Sequence, residues 1–174
     1  MNLRTELARA HSRANADRIL DILLQDPSRV EELVQLTLGR DDFVTVQRAA
    51  MVLGDLGRAR PDWLAPYLTD LLFAARHPVH PAVSRNVLRH LSELPPDRVP
   101  EKLHGRLLDW TLAVTAAPDQ PTACRVFAMQ VAANLIAWYP EVAGELRDIL
   151  RLGLEDAAAG YRSRAEKILR SLPD

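Results

Sequence analysis

The chain has 174 residues, 48% of them apolar and 26% charged, which supports a folded core and excludes a disordered chain. Its net charge of −1 argues against a protein built on wholesale phosphate binding. One cysteine, Cys124, rules out a disulfide within the chain and fits a reducing cytoplasm; Met1–Glu6 hold no apolar signal core, and no apolar run is long enough to span a membrane.

Two leader helices are expected first, over roughly 3–10 and 14–24. Prolines then mark a period: Pro27, Pro61, Pro100 and Pro140 recur at intervals of about 34–40 residues. Three residues after each comes an apolar residue (Val30, Leu64, Leu103, Ala143), and seven after come Val34, Leu68, Leu107 and, as the one break, Arg147. An arginine follows each proline after about 21–25 residues, at Arg48, Arg85, Arg125 and Arg164. A period of this size signals a repeat array whose units bury their apolar faces by stacking on their neighbours. Residues 1–174 therefore read as one domain, with capping helices over 1–26 and repeats over about 27–60, 61–99, 100–139 and 140–174.

In repeat one, Asp26-Pro27 reads as an N-cap and first helical residue. Val30, Leu33, Val34 and Thr37-Leu38 carry the first helix, and Gly39 stops it. A second helix runs from about 42 to 57, with Val46, Ala49, Ala50, Leu53 and Leu56 on one face; Ala49, Ala50 and Gly54 are small enough for close approach. Repeat two carries Leu64, Leu68, Leu71 and Leu72, then Val83, Val87, Leu91 and Leu94. Repeat three carries Leu103, Leu107 and Trp110, then Ala123, Phe127, Val131 and Leu135; repeat four carries Ala143, Leu146 and Leu150, then Ile168, Leu169 and Leu172. The expected architecture is all-α, about ten helices in five antiparallel pairs, with Leu53, Leu68, Leu107, Phe127, Val131 and Leu150 in the core.

The segment Val46-Gln47-Arg48-Ala49-Ala50-Met51-Val52-Leu53-Gly54-Asp55-Leu56-Gly57 resembles the second helix of a HEAT repeat: a valine and arginine, small residues, then Leu-Gly-x-Leu-Gly. Period and helix pattern extend the resemblance over nearly the whole chain, which is similar to small uncharacterised bacterial proteins of this armadillo-type fold. The resemblance implies a right-handed α-α superhelix with a concave face. It also implies that the recurring arginine pairs with an aspartate in the preceding turn and ties repeat to repeat. Asp41 and Asp42 precede Arg48, and Asp119 precedes Arg125; repeat two has His77-Pro78-Val79-His80-Pro81 instead, and repeat four only the more distant Asp156.

The candidate binding residues are Arg48, Arg85, Arg89, Arg125 and Arg164, whose guanidinium groups could read carboxylates or phosphates, and Trp63, which lies off the leucine stripe and is the aromatic expected to be exposed. The arginines also read as structural partners of the turn aspartates. Trp110 and Trp138 fall on apolar stripes and read as core. His77 and His80 lack a third and fourth metal ligand and read as a solvated loop; His11, His90 and His104 read as surface residues, and Cys124 as a small packing residue. No nucleophile set, phosphate loop or cofactor motif stands out, so no catalytic residue, metal or cofactor is assigned. The expected function is a cytoplasmic, non-catalytic scaffold holding an unidentified protein or peptide on its concave face, as a monomer or weak dimer off the membrane. The alternative is a nucleic-acid-binding protein related in architecture to HEAT-like DNA alkylation-repair glycosylases, which the charge balance and the near absence of lysine disfavour. A kinship to the HEAT-like lyases of pigment-protein assembly is weaker still, because the repeats here are longer.

Overall fold

The computed structural model describes residues 2–40, 42–155 and 157–173, and these form helices and turns with no strand. They divide into two compact units, Met1–His90 and Leu91–Asp174.

The N-terminal unit opens with α1 (Leu3–Arg9) and α2 (Arg13–Gln25), which match the expected leader. Each starts on a side-chain cap: Asn2 accepts the Thr5 N–H at 3.3 Å and Ser12 the Asn15 N–H at 3.2 Å. Repeat one follows as a 3-10 turn, Pro27–Arg29, then α3 (Val30–Leu38) and α4 (Phe43–Ala59). Asp26 precedes that turn without a side-chain cap bond to it, contrary to the expected N-cap, and instead accepts the Ser28 hydroxyl at 2.5 Å. Asp42 caps α4, accepting the Val44 and Thr45 N–H groups at 3.0 and 3.2 Å; the Thr45 hydroxyl foremost, and then these bonds, hold its carboxyl below the usual range. In repeat two, α5 (Pro61–Leu64) passes through a 3-10 turn, Ala65–Tyr67, into α6 (Leu68–Arg76). Pro66 cannot donate an N–H to the α ladder there, and the helix tightens at that point. Counted as one interrupted helix, this stretch brings the number of helices among the described residues to the expected ten. The unit ends within α7 (Pro81–Glu93).

The C-terminal unit holds the end of α7, a 3-10 turn at Pro96–Arg98, α8 (Glu101–Ala116) and α9 (Thr122–Ile136). A further 3-10 turn at Pro140–Val142 leads to α10 (Ala143–Gly153) and α11 (Ala159–Ser171). Pairing follows chain order: α3 packs on α4, α8 on α9, and α10 on α11. First helices also meet first helices (α3 with α6, α8 with α10), and second helices meet second helices (α2 with α4, α9 with α11).

Leu53, Leu68, Leu107, Val131 and Leu150 are all buried, each contributing about 1.5–3 kcal/mol. Phe127 is only half-buried. Its row, Ala123-Phe127-Val131-Leu135, advances by four, and each such step overshoots the helical turn by about 40°. The row therefore starts on the flank, and the buried stripe of α9 runs instead through Cys124, Ala128, Val131, Ala132 and Leu135. No helix among the described residues is long and apolar enough to cross a membrane.

Candidate functional site

Side chains on neighbouring second helices are tied by transverse polar ladders. In the N-terminal unit the centre is Asp55 of α4, only 6% exposed despite its charge. Arg13 of α2 places Nη1 2.8 Å from Asp55 Oδ2 and also pairs with Asp17, while Arg89 of α7 approaches Asp55 Oδ1 at 3.9 Å. In the C-terminal unit Arg164 of α11 donates to Gln130 Oε1 at 2.7 Å, Gln130 Nε2 to Asn134 Oδ1 at 2.7 Å, and Asn134 Nδ2 to the Ser92 carbonyl at 3.1 Å. A buried carboxylate between two guanidinium groups, and a chain of matched amides, both fix side-chain positions that would otherwise be free.

The other recurring arginines serve the ends of first helices, where carbonyls lack intrahelical partners. Arg48 Nη1 donates to the Leu7 and Ala8 carbonyls at the end of α1, at 2.7 and 3.0 Å. Arg125 Nε donates to the Thr115 carbonyl at the end of α8, at 3.1 Å, with its guanidinium 4.2 Å over the Tyr161 ring. Arg85 is solvent-exposed, and its neighbour Ser84 takes the equivalent place, donating to the Ala75 carbonyl of α6 at 2.7 Å. In repeat four Arg162 does the same, reaching the Leu154 carbonyl at 3.0 Å. Trp63 sits apart on α5, half-buried, with the Arg60 guanidinium 5.7 Å over its ring.

Two grooves open beside the ends of first helices. One, of about 240 Å³ in the N-terminal unit, is lined by Thr37, Leu38, Phe73, Ala74 and Val83, with Arg40, Asp70 and His77. The other, of about 390 Å³ in the C-terminal unit, is lined by Ala116, Pro118, Ile149 and Leu152, with Arg125, Gly153 and Glu155. Phe73 and Leu152, 62% and 72% exposed, both lie twelve residues after their repeat's proline.

A family model described as HEAT repeat domain matches residues 3–172. The chain belongs to the HEAT repeat family. No curated protein and no solved structure matches it.

The HEAT motif of α4 acquires a physical meaning here. A Cβ on Gly54 would stand 2.6 Å from Asn86 Oδ1, and one on Gly57 2.5 Å from His90 Nδ1. The two glycines are thus a bare seat for two side chains of α7, one turn apart. The pairing of HEAT arginine with turn aspartate departs from expectation. Asp119 is exposed while Arg125 turns to a helix end and an aromatic ring, and Asp42 spends its oxygens on capping α4 while Arg48 reaches α1. Asp41 and Asp156 lie outside the described residues.

Several isolated side chains lie elsewhere than the sequence pattern predicts. Trp138 is 50% exposed, because α9 ends at Ile136 and the helical stripe stops short of it; Trp110 is half-buried. His104 is buried rather than superficial, with Nε2 2.9 Å from the Val99 carbonyl and Nδ1 3.0 Å from the Tyr139 hydroxyl. A carbonyl only accepts, so Nε2 carries the proton and Nδ1 accepts from Tyr139. His90 is also buried, on Gly57; neither ring nitrogen has a hydrogen-bond partner among the described residues, and burial pushes its pKa down to about 4. The histidines of the Pro-rich loop divide their roles: His80 Nδ1 accepts the Ala82 N–H at 3.1 Å at the start of α7, and the His77 ring meets Phe73 at 5.4 Å. Cys124 is buried, as a packing residue should be. Among the described residues no cluster of His, Cys, Asp and Glu could hold a metal ion.

Proposed function

We propose that this HEAT repeat protein is a non-catalytic scaffold that holds a partner protein or peptide along its row of second helices, the face such arrays use as a concave binding surface. The observation that supports this most directly is the division of labour on α4. Its internal polar and charged groups are committed to ladders and helix ends, while Phe43 and Val44 at its start are 62% and 50% exposed. Exposed aromatic and aliphatic groups beside a pre-tied polar seam are what a protein interface uses as anchors. Arg85, the exposed member of the recurring arginines, adds a charge able to orient a partner. The nucleic-acid reading is weakened by the same geometry, since Arg48, Arg125 and Arg164 already donate within the protein. The scaffold is taken to act in the cytoplasm as a monomer or weak dimer, and a single cysteine is compatible with a reducing compartment.

The test is affinity capture with the wild-type chain, a Phe43→Asp/Arg85→Glu variant and a first-helix control, Glu31→Lys. A defined protein retained by wild type and control but lost from the double variant is expected. Identical captures by all three proteins would remove the second helices from the reading.

A further inference from the structure

The groove of about 240 Å³ in the N-terminal unit lies at the ends of two neighbouring first helices, α3 and α6. Thr37 and Leu38 of α3 form one wall, and Asp70, Phe73 and Ala74 of α6 the other. Phe73 is 62% exposed, its ring meeting His77 at 5.4 Å. It stands as an apolar knob beside an apolar hollow, an arrangement that favours contact with another surface. The charges at the groove are divided between its walls. Arg40 stands just past the end of α3, and Asp70 stands on α6. Both are exposed, they do not pair with each other, and neither has an ion pair or hydrogen bond with another described residue.

This layout is self-complementary. A two-fold axis running along the groove lays the α3 wall of one copy over the α6 wall of a second. The operation sets Arg40 against Asp70 twice, and each Phe73 against the Leu38 wall of the other copy. A foreign partner would have to supply an anion, a cation and an apolar group in matching places, whereas a second copy carries all three by symmetry. We propose that this groove is the contact face of a symmetric homodimer. The proposal goes beyond the scaffold reading and does not depend on it. Self-association and capture of a different protein are separate measurements, so failure of either leaves the other standing.

Sedimentation velocity on the full chain tests it, from about 1 µM to about 1 mM protein. A contact of this kind sits at the weak end of protein interfaces, and a monomer–dimer equilibrium with Kd of about 10–500 µM is expected. Phe73→Asp, at an exposed position, should weaken the dimer about tenfold or more while leaving the thermal melt unchanged. Asp70→Arg and Arg40→Asp each place like charges together twice, and each should weaken it about tenfold. The double variant Arg40→Asp/Asp70→Arg exchanges the signs and should return Kd to within about threefold of wild type. Monomer alone up to about 1 mM, wild-type Kd in Phe73→Asp or in either single reversal, or a double variant no tighter than the singles would each overturn the proposal.

Discussion

His90 rests on the bare backbone of Gly57, and both members of that contact make predictions. All described glycines have negative φ, so none needs glycine for its backbone angles. Space alone decides what alanine does. At Gly57 the added methyl would collide with a buried imidazole, so Gly57→Ala should cost about 1–3 kcal/mol in spite of its better helix propensity. Gly105 of α8 has nothing within 4 Å of a built Cβ, and Gly105→Ala should stabilise by about 0.5–1 kcal/mol. Urea unfolding of both variants checks the contrast, and shifts of the same sign would contradict it. His90 also sets a pH dependence. Its folded pKa lies below the ordinary 6.5, so between about pH 6.5 and 4 the unfolded chain binds the extra proton. Stability is complete above that window and falls by about 3 kcal/mol as pH drops through it. His90→Leu should flatten that part of the curve relative to wild type; parallel curves would show that the imidazole is not the titrating group.

At the scale of elements, the recurring side chains secure helix ends. Arg125→Ala should lose about 1–2 kcal/mol, the sum of a carbonyl bond and a ring contact, whereas Asp119→Ala should stay within about 0.5 kcal/mol of wild type. Double-mutant cycles by chemical denaturation should find coupling between Arg125 and Tyr161 and none between Arg125 and Asp119. The reverse pattern would restore the arginine–aspartate pair. What was readable beforehand follows from this. Helix stripes such as Val46-Ala49-Ala50-Leu53-Leu56 are legible because a local period determines which face is buried. The arginine targets are not, because a carbonyl acceptor has no residue type. Leu7 and Thr115 accept only because α1 and α8 end beside them. His90 and His104 were hidden for a related reason: the residues that admit them, Gly57 and Tyr139, lie on other elements about 33–35 positions away. The grooves were invisible for the same cause, although Phe73 and Leu152 share a register that the proline period already contained.

Over the whole molecule, 22 basic residues face 23 acidic ones, and the second-helix arginines are largely engaged inside the protein. Labelled single- and double-stranded DNA and RNA should therefore show no sub-micromolar binding at about 150 mM salt. Tight binding there, with a steep salt slope and loss on Arg85→Glu, would favour the nucleic-acid reading over the scaffold.

The glycine seat on α4 also bears on how such an array could be rearranged. Measured from the recurring arginine, Gly54 and Gly57 correspond to Leu91 and Leu94 in repeat two and to Val131 and Asn134 in repeat three. Asn86 and His90, which fill the seat, correspond to Val126 and Gln130 in repeat three. In this register neither repeat two nor repeat three carries the glycine pair, and the Asn-His pair that fills it has no counterpart in repeat three. Repeats one and two form a keyed pair, so a shuffled gene that placed another repeat after the first would leave the socket unfilled. At this junction the order of the two modules is set by a matched pair of surfaces, and a duplication within the array would have to preserve both halves of it.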